Sequence, residues 1–331
     1  MNLIEIAQQF PNELDCVIYA EKIRYGKKPK CAYCHSTNLS KRNKDYRYLC
    51  KACHKSSSVT VNTPIQGTKV PLQTWFFAIS VITDAKKGMS ALQLKRNINV
   101  SYPTAFAMYH KLRELMAHEN KQIEELDGIV EMDETFIGGK PRKFNDGTTT
   151  PPTHKLKLPD MDEKISALKE DGVKFSRGKG NRSIPDVNPK RGRGSDKIPV
   201  VGIVERNGNV VAEVMKDLTY SNLKEMVKKY VDEDNAVLVT DEYKGYNSMK
   251  KIIEHIKIDH SKLYSYRGVN TNSIESFWAI VERGIMGQYH SVSPKMLPNY
   301  VAEFVYKYNN RKDNEAMFHE LLEKMLKPNA L

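Results

Sequence analysis

The sequence predicts a multidomain chain: a metal-held ribbon, then a helix-turn-helix, then an α/β domain interrupted by a basic insertion. Three observations predict it. Two C-x-x-C pairs stand fifteen residues apart, helical apolar spacing fills residues 71–116, and after residue 128 buried strand-like runs alternate with amphipathic helices. The expected boundaries are 1–66 for the ribbon, 67–121 for the helix-turn-helix and 122–292 for the α/β domain. Within the last, 140–197 is the insertion, and 293–331 are expected as C-terminal helices packed on the α/β domain.

Composition narrows the function classes. Of 331 residues, 40% are hydrophobic and 28% charged, as in an ordinary globular chain. The longest largely apolar run, Trp75 to Ile82, is too short to span a bilayer. The first fifteen residues show no basic n-region and no apolar h-region, so no secretory signal is expected. The expectation is a cytoplasmic protein, on the nucleoid, with no membrane partner. The net charge of +12 is uneven: residues 15–60 carry +8, residues 140–197 carry +7, and the remainder carries −3. Basic regions beside a mildly acidic body favour a polyanion, most often nucleic acid. A plain solubilising excess fits the charge alone about as well.

In the ribbon, Cys31-Ala-Tyr-Cys34 and Cys50-Lys-Ala-Cys53 can bring four thiolates around one Zn²⁺. In a reducing compartment such pairs mean metal, not disulfides. The stretch between them is too short and polar to form a core, so the metal has to hold it, at about 10 kcal/mol. Four cysteines leave no open position, so the zinc is structural. His35 and His54 are spare ligands or surface residues, and Cys16 reads as a small buried apolar residue. Lys27, Lys28, Lys30, Lys41, Arg42, Lys44 and Arg47 suit a DNA-touching face.

Next, Pro71 starts an apolar helix that runs to about Asp84, and Gly88 breaks it. Ser90 caps a short helix, Asn97 to Val100 is a turn, and a longer helix begins at Ser101. A short helix, a tight turn and a longer helix make a helix-turn-helix, whose last helix meets bases with its first residues. Ser101, Tyr102, Thr104 and His110 are the candidates. An ordinary three-helix packing unit has the same pattern.

The α/β domain opens with a strand between Gly128 and Gly139. Its apolar residues do not alternate cleanly, as in a strand buried on both faces. An Asp inside such a strand is costly unless something pairs with it, so Asp133 is a candidate metal ligand. Glu131 shares its face and Glu134 points the other way. Residues 140–197 hold six Gly, six Pro and fifteen Lys/Arg, which reads as a partly disordered loop suited to clamping a DNA backbone. Two strands then flank Asn207-Gly-Asn209 as a hairpin. A helix over Ser221 to Val231, a buried strand ending at Asp241, a further strand near Lys257 to His260 and a helix from Asn272 complete the order. The expected order, strand, strand, strand, helix, strand, helix, strand, helix, matches a ribonuclease-H-like fold, in which an Asp within the first strand and an Asp ending the fourth lie side by side. A later helix gives the third carboxylate.

Such a cluster holds two Mg²⁺ about 4 Å apart for in-line phosphodiester cleavage, and Mn²⁺ substitutes. The motifs M-D-E-T-F-I-G-G (132–139), T-D-E-Y-K-G-Y (240–246), N-T-N-S-I-E-S-F-W (270–278), G-Q-Y-H (287–290) and Y-V-A-E-F-V-Y-K-Y-N-N-R (300–311) resemble bacterial insertion-sequence DDE transposases. The match is with the ISXO2-like group, which also carries an N-terminal zinc ribbon, and it covers nearly the whole chain outside the basic loop. It implies a Mg²⁺-dependent transposase acting on double-stranded element ends and target DNA, as a homo-oligomer on that DNA. It implies Asp133, Asp241 and Glu275 as the catalytic, magnesium-binding triad. The family has Lys-Arg where this chain has Glu282-Arg283.

Glu275 has rivals. Asn272 and Glu275 also spell a capping box, and some relatives use Asn or His as the third ligand. Glu282 lies on the same helical face, but seven residues rise about 10 Å, so both carboxylates cannot serve one metal pair. Glu275 is the choice. Trp278 is expected in the core, and the helix from Tyr300 to Tyr308 is expected to pack on the sheet. His260 is either a core residue or a phosphate neighbour. His290, Asn309, Asn310 and Arg311 carry no assigned chemistry. The alternative function is a zinc-ribbon, helix-turn-helix transcription regulator with a degenerate nuclease-like domain. The buried acids argue against it, because a regulator has no use for them.

Overall fold

The computed structural model describes residues 1–42, 44–119, 125–138, 197–258 and 270–328. The basic insertion expected at 140–197, apart from Lys197, and His260 lie outside the described residues. The described residues of Met1–Ile137 and Ile198–Leu331 form a first compact unit.

The chain opens with α1 (Leu3–Gln9) and α2 (Glu13–Tyr25), each capped by an Asn side chain. The ribbon follows as three short antiparallel strands, β1 (Leu39–Arg42), β2 (Arg47–Cys50) and β3 (Ser56–Ser57). Next come α3 (Leu72–Asp84), α4 (Ala91–Ile98) and α5 (Tyr102–Glu119). Glu13 accepts from the Leu72 and Gln73 backbone N–H groups at 2.8 and 2.9 Å, so α2 caps α3. Ser90 caps α4, and Asn99 ends it at φ +51°. These helices bury Phe76, Ile79, Ile82, Leu94, Ala105 and Leu112 against one another.

The sheet has the order β6-β5-β4-β7-β8 among the described residues. Its strands are β4 (Leu126–Ile137), β5 (Ile198–Glu205), β6 (Val210–Val214), β7 (Val231–Thr240) and β8 (Glu254–Lys257). β4, β5 and β6 pair antiparallel, and β7 and β8 add in parallel to β4. Even-numbered residues of β4, such as Val130 and Met132, face α6 (Tyr220–Tyr230) with Leu223, Met226 and Val227. Ile137 faces the opposite layer, where α7 (Asn272–Gly284) and α8 (Leu297–Asn309) bury Ile274, Phe277, Val281, Val301 and Phe304. Alternation at period two thus sorts β4 into two buried faces.

Two expectations change here. The helix expected between the fourth and fifth strands is a pair of 3₁₀ turns, Lys244–Tyr246 and Met249–Lys251. Gly245, Asn247 and Ser248 favour turns over a sustained helix there. The last helix, α9 (Asn314–Leu326), joins the N-terminal helical core rather than the sheet. Its Phe318 meets Phe76 edge-on at 6.2 Å between centroids, and its apolar stripe is buried in that helical core.

A buried charge network joins α5 to α8. Glu303 of α8 is fully buried and accepts from Arg113 Nε (2.7 Å), Lys307 Nζ (2.6 Å), Tyr109 Oη (2.6 Å) and Tyr289 Oη (3.0 Å). The Arg113 guanidinium lies over the Tyr109 and Tyr300 rings at 3.7 and 3.8 Å. Burial pushes the Glu303 carboxyl up, but Lys307 and Arg113 outweigh it and hold the group at about 2.

Candidate active site

The residues of one β4 face arrive in order: Glu131, Asp133, Thr135. The parallel pairing with β7 ends at Met132 opposite Thr240, so the next residue, Asp241, leaves its strand beside Asp133. Asp241 Oδ1 accepts from the Tyr243 backbone N–H at 2.9 Å, which fixes the turn. Glu134 starts on the other face, where the buried Tyr246 hydroxyl donates to its Oε2 at 2.6 Å. Asp133, Glu134 and Asp241 each offer an oxygen within 4.8 Å of the others. Burial first, then the charges of Glu134, Asp241 and Glu275, push the Asp133 carboxyl up to about 7. Three carboxylates this close repel one another, and a hard divalent cation relieves that repulsion with ligands of the right type.

The structure therefore brings Asp133 and Asp241 together and adds Glu134, which the period-two reading sent away from the site. Beyond Met132, β4 has lost its β7 neighbour, and a long side chain can return to that open edge. Glu275 lies outside this three-way cluster, though its charge reaches Asp133. It is exposed in the first turn of α7 and accepts from Thr271 Oγ1 at 2.9 Å. The capping box does not form: the N-cap is Thr271, with no side-chain cap bond, and Asn272 is already helical. Glu282 accepts from Thr135 Oγ1 at 2.7 Å. Trp278 is buried, its ring close against Gly202, the residue paired with Asp133 across β4 and β5. A Cβ at Gly202 would come within 2.8 Å of that ring.

In the ribbon, Cys31, Cys34, Cys50 and Cys53 offer sulfurs all within 4.8 Å of one another. The Cys31–Cys53 and Cys34–Cys50 sulfurs are 3.6 Å apart. Thiolates about 2.3 Å from a central ion form a tetrahedron with edges of about 3.8 Å, so the four fit such a site. His35 and His54 are exposed at φ +58° and +57°, where each C-x-x-C turn closes onto its first cysteine. Cys16 is buried in the helical core, and burial pushes its thiol up to about 12.

Of the residues expected to face DNA, Lys41, Arg42, Lys44, Ser101 and Tyr102 are exposed. Arg42 pairs with Asp45 at 3.2 Å, and Arg47 is half-buried and bonds Ser56 twice. Ser101 Oγ accepts from the Thr104 backbone N–H at 3.3 Å and so caps α5. His110 is 7% exposed, between the Phe106 and Tyr300 rings, and does not face outward. Position nine of a helix lies beyond the base-reading first turns, and here it turns into the core. Asn309 bonds the Val210 backbone twice, at 2.8 and 3.0 Å, and so completes the free edge of β6. Arg311 donates to Gly208 O. Sequence reasoning also gave no role to Glu131. Applied to that residue, the cost of a buried carboxylate in a strand was the available signal.

No helix among the described residues is long and apolar enough to cross a membrane. No curated protein matches the chain. Solved structures that align with it include three at 11–12% identity. A pre-cleavage Mos1 transpososome covers 75% of this chain and 78% of its own, with a TM-score of 0.25. A Mos1 strand transfer complex covers 76% and 75%, with a TM-score of 0.27. A Mos1 transposase paired-end complex with the left transposon end covers 70% and 78%, with a TM-score of 0.20. Scores this low add nothing to the assignment. The family model that matches is the ISXO2-like transposase domain, over residues 171–309. That span is narrower than the motif resemblance: it includes Asp241 and Glu275 and leaves out Asp133 and Glu134. Residues 171–309 are thus similar to the ISXO2-like transposase domain family.

Proposed function

We propose that this chain is a DNA transposase that binds the terminal inverted repeats of an insertion sequence, cleaves DNA there and joins the ends to a target. One observation carries the reading: Asp133 and Asp241 meet at neighbouring parallel strands, with Glu134 at ligand distance, in a chain with a transposase domain. The sheet order, three antiparallel strands followed by two parallel ones, supports a ribonuclease-H-like fold. Asp133 and Asp241 would hold two Mg²⁺, or Mn²⁺ in their place, with Glu275 as the third carboxylate and Glu134 as a further ligand. Bound there, the ions supply Lewis-acid activation of a water or a 3′-hydroxyl and steady the leaving oxygen. The chain's own carboxylates fix the positions where that charge is needed.

Binding belongs to the N-terminal region. One structural Zn²⁺ on Cys31, Cys34, Cys50 and Cys53 holds the ribbon, which offers Lys41, Arg42, Lys44 and, with less reach, Arg47 to the phosphate backbone. α4 and α5 act as the helix-turn-helix, with Ser101, Tyr102 and Thr104 toward the bases. His110 drops out of that set. The protein works in the cytoplasm, on the nucleoid, as a homo-oligomer on double-stranded DNA. Purified protein incubated with labelled duplex carrying its element ends, a target plasmid and Mg²⁺ should give cleaved and joined products. Binding without cleavage returns the regulator reading, and cleavage without joining returns a nuclease.

A further inference from the structure

Glu131 is fully buried, two residues ahead of Asp133 on the same strand face. A buried carboxylate is costly unless its oxygens are satisfied. Here they accept five hydrogen bonds. Arg206 donates from Nε at 3.2 Å and from a terminal nitrogen at 2.9 Å. Ser273 donates from its backbone at 2.8 Å and its hydroxyl at 3.0 Å, and the Ile274 backbone donates at 3.1 Å. Ser273 and Ile274 are in the first turn of α7, immediately before Glu275. That helix has no side-chain cap of its own at Thr271, so Glu131 does the capping, and its charge suits a helix N-terminus.

Arg206 is fixed as well. Its backbone N–H donates to Ile129 O at 2.9 Å, and its guanidinium also reaches Asn270 O at 3.0 Å, just ahead of α7. At the other end, Thr135 holds Glu282. β4 therefore grips α7 at residues 131 and 135, with Asp133 between the two grips. We propose that Glu131 is a positioning residue for the acidic cluster. By capping α7 it sets where Glu275 stands relative to Asp133, and so sets the affinity of the site for a divalent cation. The role rests on reading the cluster as a metal site.

The test is Mn²⁺ titration of the full-length protein, followed by the paramagnetic resonance of free Mn²⁺. Wild type, Glu131→Gln and Asp133→Asn are compared well below each melting temperature, with affinity for element-end DNA measured alongside. Residues supporting a metal site from behind typically change affinity by about tenfold to a hundredfold, and Glu131→Gln is expected to weaken Mn²⁺ by that much with DNA affinity unchanged. If Glu131→Gln does not fold, Arg206→Lys replaces it: the charge stays, the forked contact to Glu131 and Asn270 is lost, and Mn²⁺ should again weaken. A lower melting temperature with wild-type Mn²⁺ affinity would overturn the positioning role and leave Glu131 as a folding residue. If Asp133→Asn also binds Mn²⁺ like wild type, the metal site itself falls, and the positioning role with it.

Discussion

At the residue scale, burial makes the charges of Asp133 and Glu303 expensive. Asp133 has Glu134 and Asp241 at ligand distance and its carboxyl pushed up to about 7, mainly by burial. Asp133→Asn or Asp241→Asn removes one like charge, so stability without metal is expected to hold or rise. Cleavage should vanish while DNA binding stays, which gel-shift and cleavage assays on the same preparations will show. Glu303 is the opposite case. Its cations hold it at about 2, below the ordinary 4.5, so its contribution is complete above about 4.5 and is lost as the pH falls toward 2. Glu303→Gln should cost about 3–5 kcal/mol at neutral pH, because it strands Arg113 and Lys307 in the interior. Denaturant melts between pH 2 and 7 should show wild type losing part of that advantage on acidification, while the variant's curve is flatter. Asp133 and Asp241 were legible in the sequence because an acid in or at the end of an apolar run needs a reason. Glu134 was not, because only the end of the β4–β7 pairing reveals the open edge that its side chain reaches.

At the element scale, the ribbon and the strand–helix grip behave differently. The three ribbon strands are two to four residues long, far too short to be stable alone, so the four thiolates have to hold them. Metal analysis should find one tightly bound Zn²⁺ per chain, and Cys50→Ser should lose it. Chelation should unfold the ribbon first, with amide exchange rising across residues 31–57 before it rises in β4 or β7. The C-x-x-C spacing made this element readable, since ligand spacing is local in the chain. Helices α3 to α5 were readable from apolar spacing and the Ser90 cap for the same reason. The connection from β7 to β8 was not, because turn-forming Gly245, Asn247 and Ser248 outweigh the apolar residues around them. Nor was the cap of α7: Asn272 and Glu275 spell a capping box, but Glu131, distant in sequence, takes that place.

At the scale of the whole molecule, the described part of the first unit ties chain ends to chain beginnings. α9 fills the helical core beside α3, and Arg113 of α5 pairs with Glu303 of α8. Partners about 190 residues apart leave no local pattern, which is why a C-terminal pair of helices on the sheet was the natural reading. Removing residues 313–331 should therefore expose Phe76 and its neighbours, lower the melting temperature and weaken DNA binding, although none of the residues proposed to face DNA is removed. Retention of wild-type DNA affinity and stability would show that α9 is dispensable to that core. On the proposed reading, the cluster of Asp133, Glu134 and Asp241 is a metal site for cutting DNA bound by the N-terminal region. The most direct measurement is Mg²⁺-dependent cleavage of labelled element-end duplex by wild type and by Asp133→Asn, at protein concentrations where both bind the duplex fully. Wild type is expected to cleave and join, Asp133→Asn to do neither, and neither protein to cleave without Mg²⁺. Equal cleavage by the two proteins would contradict that reading.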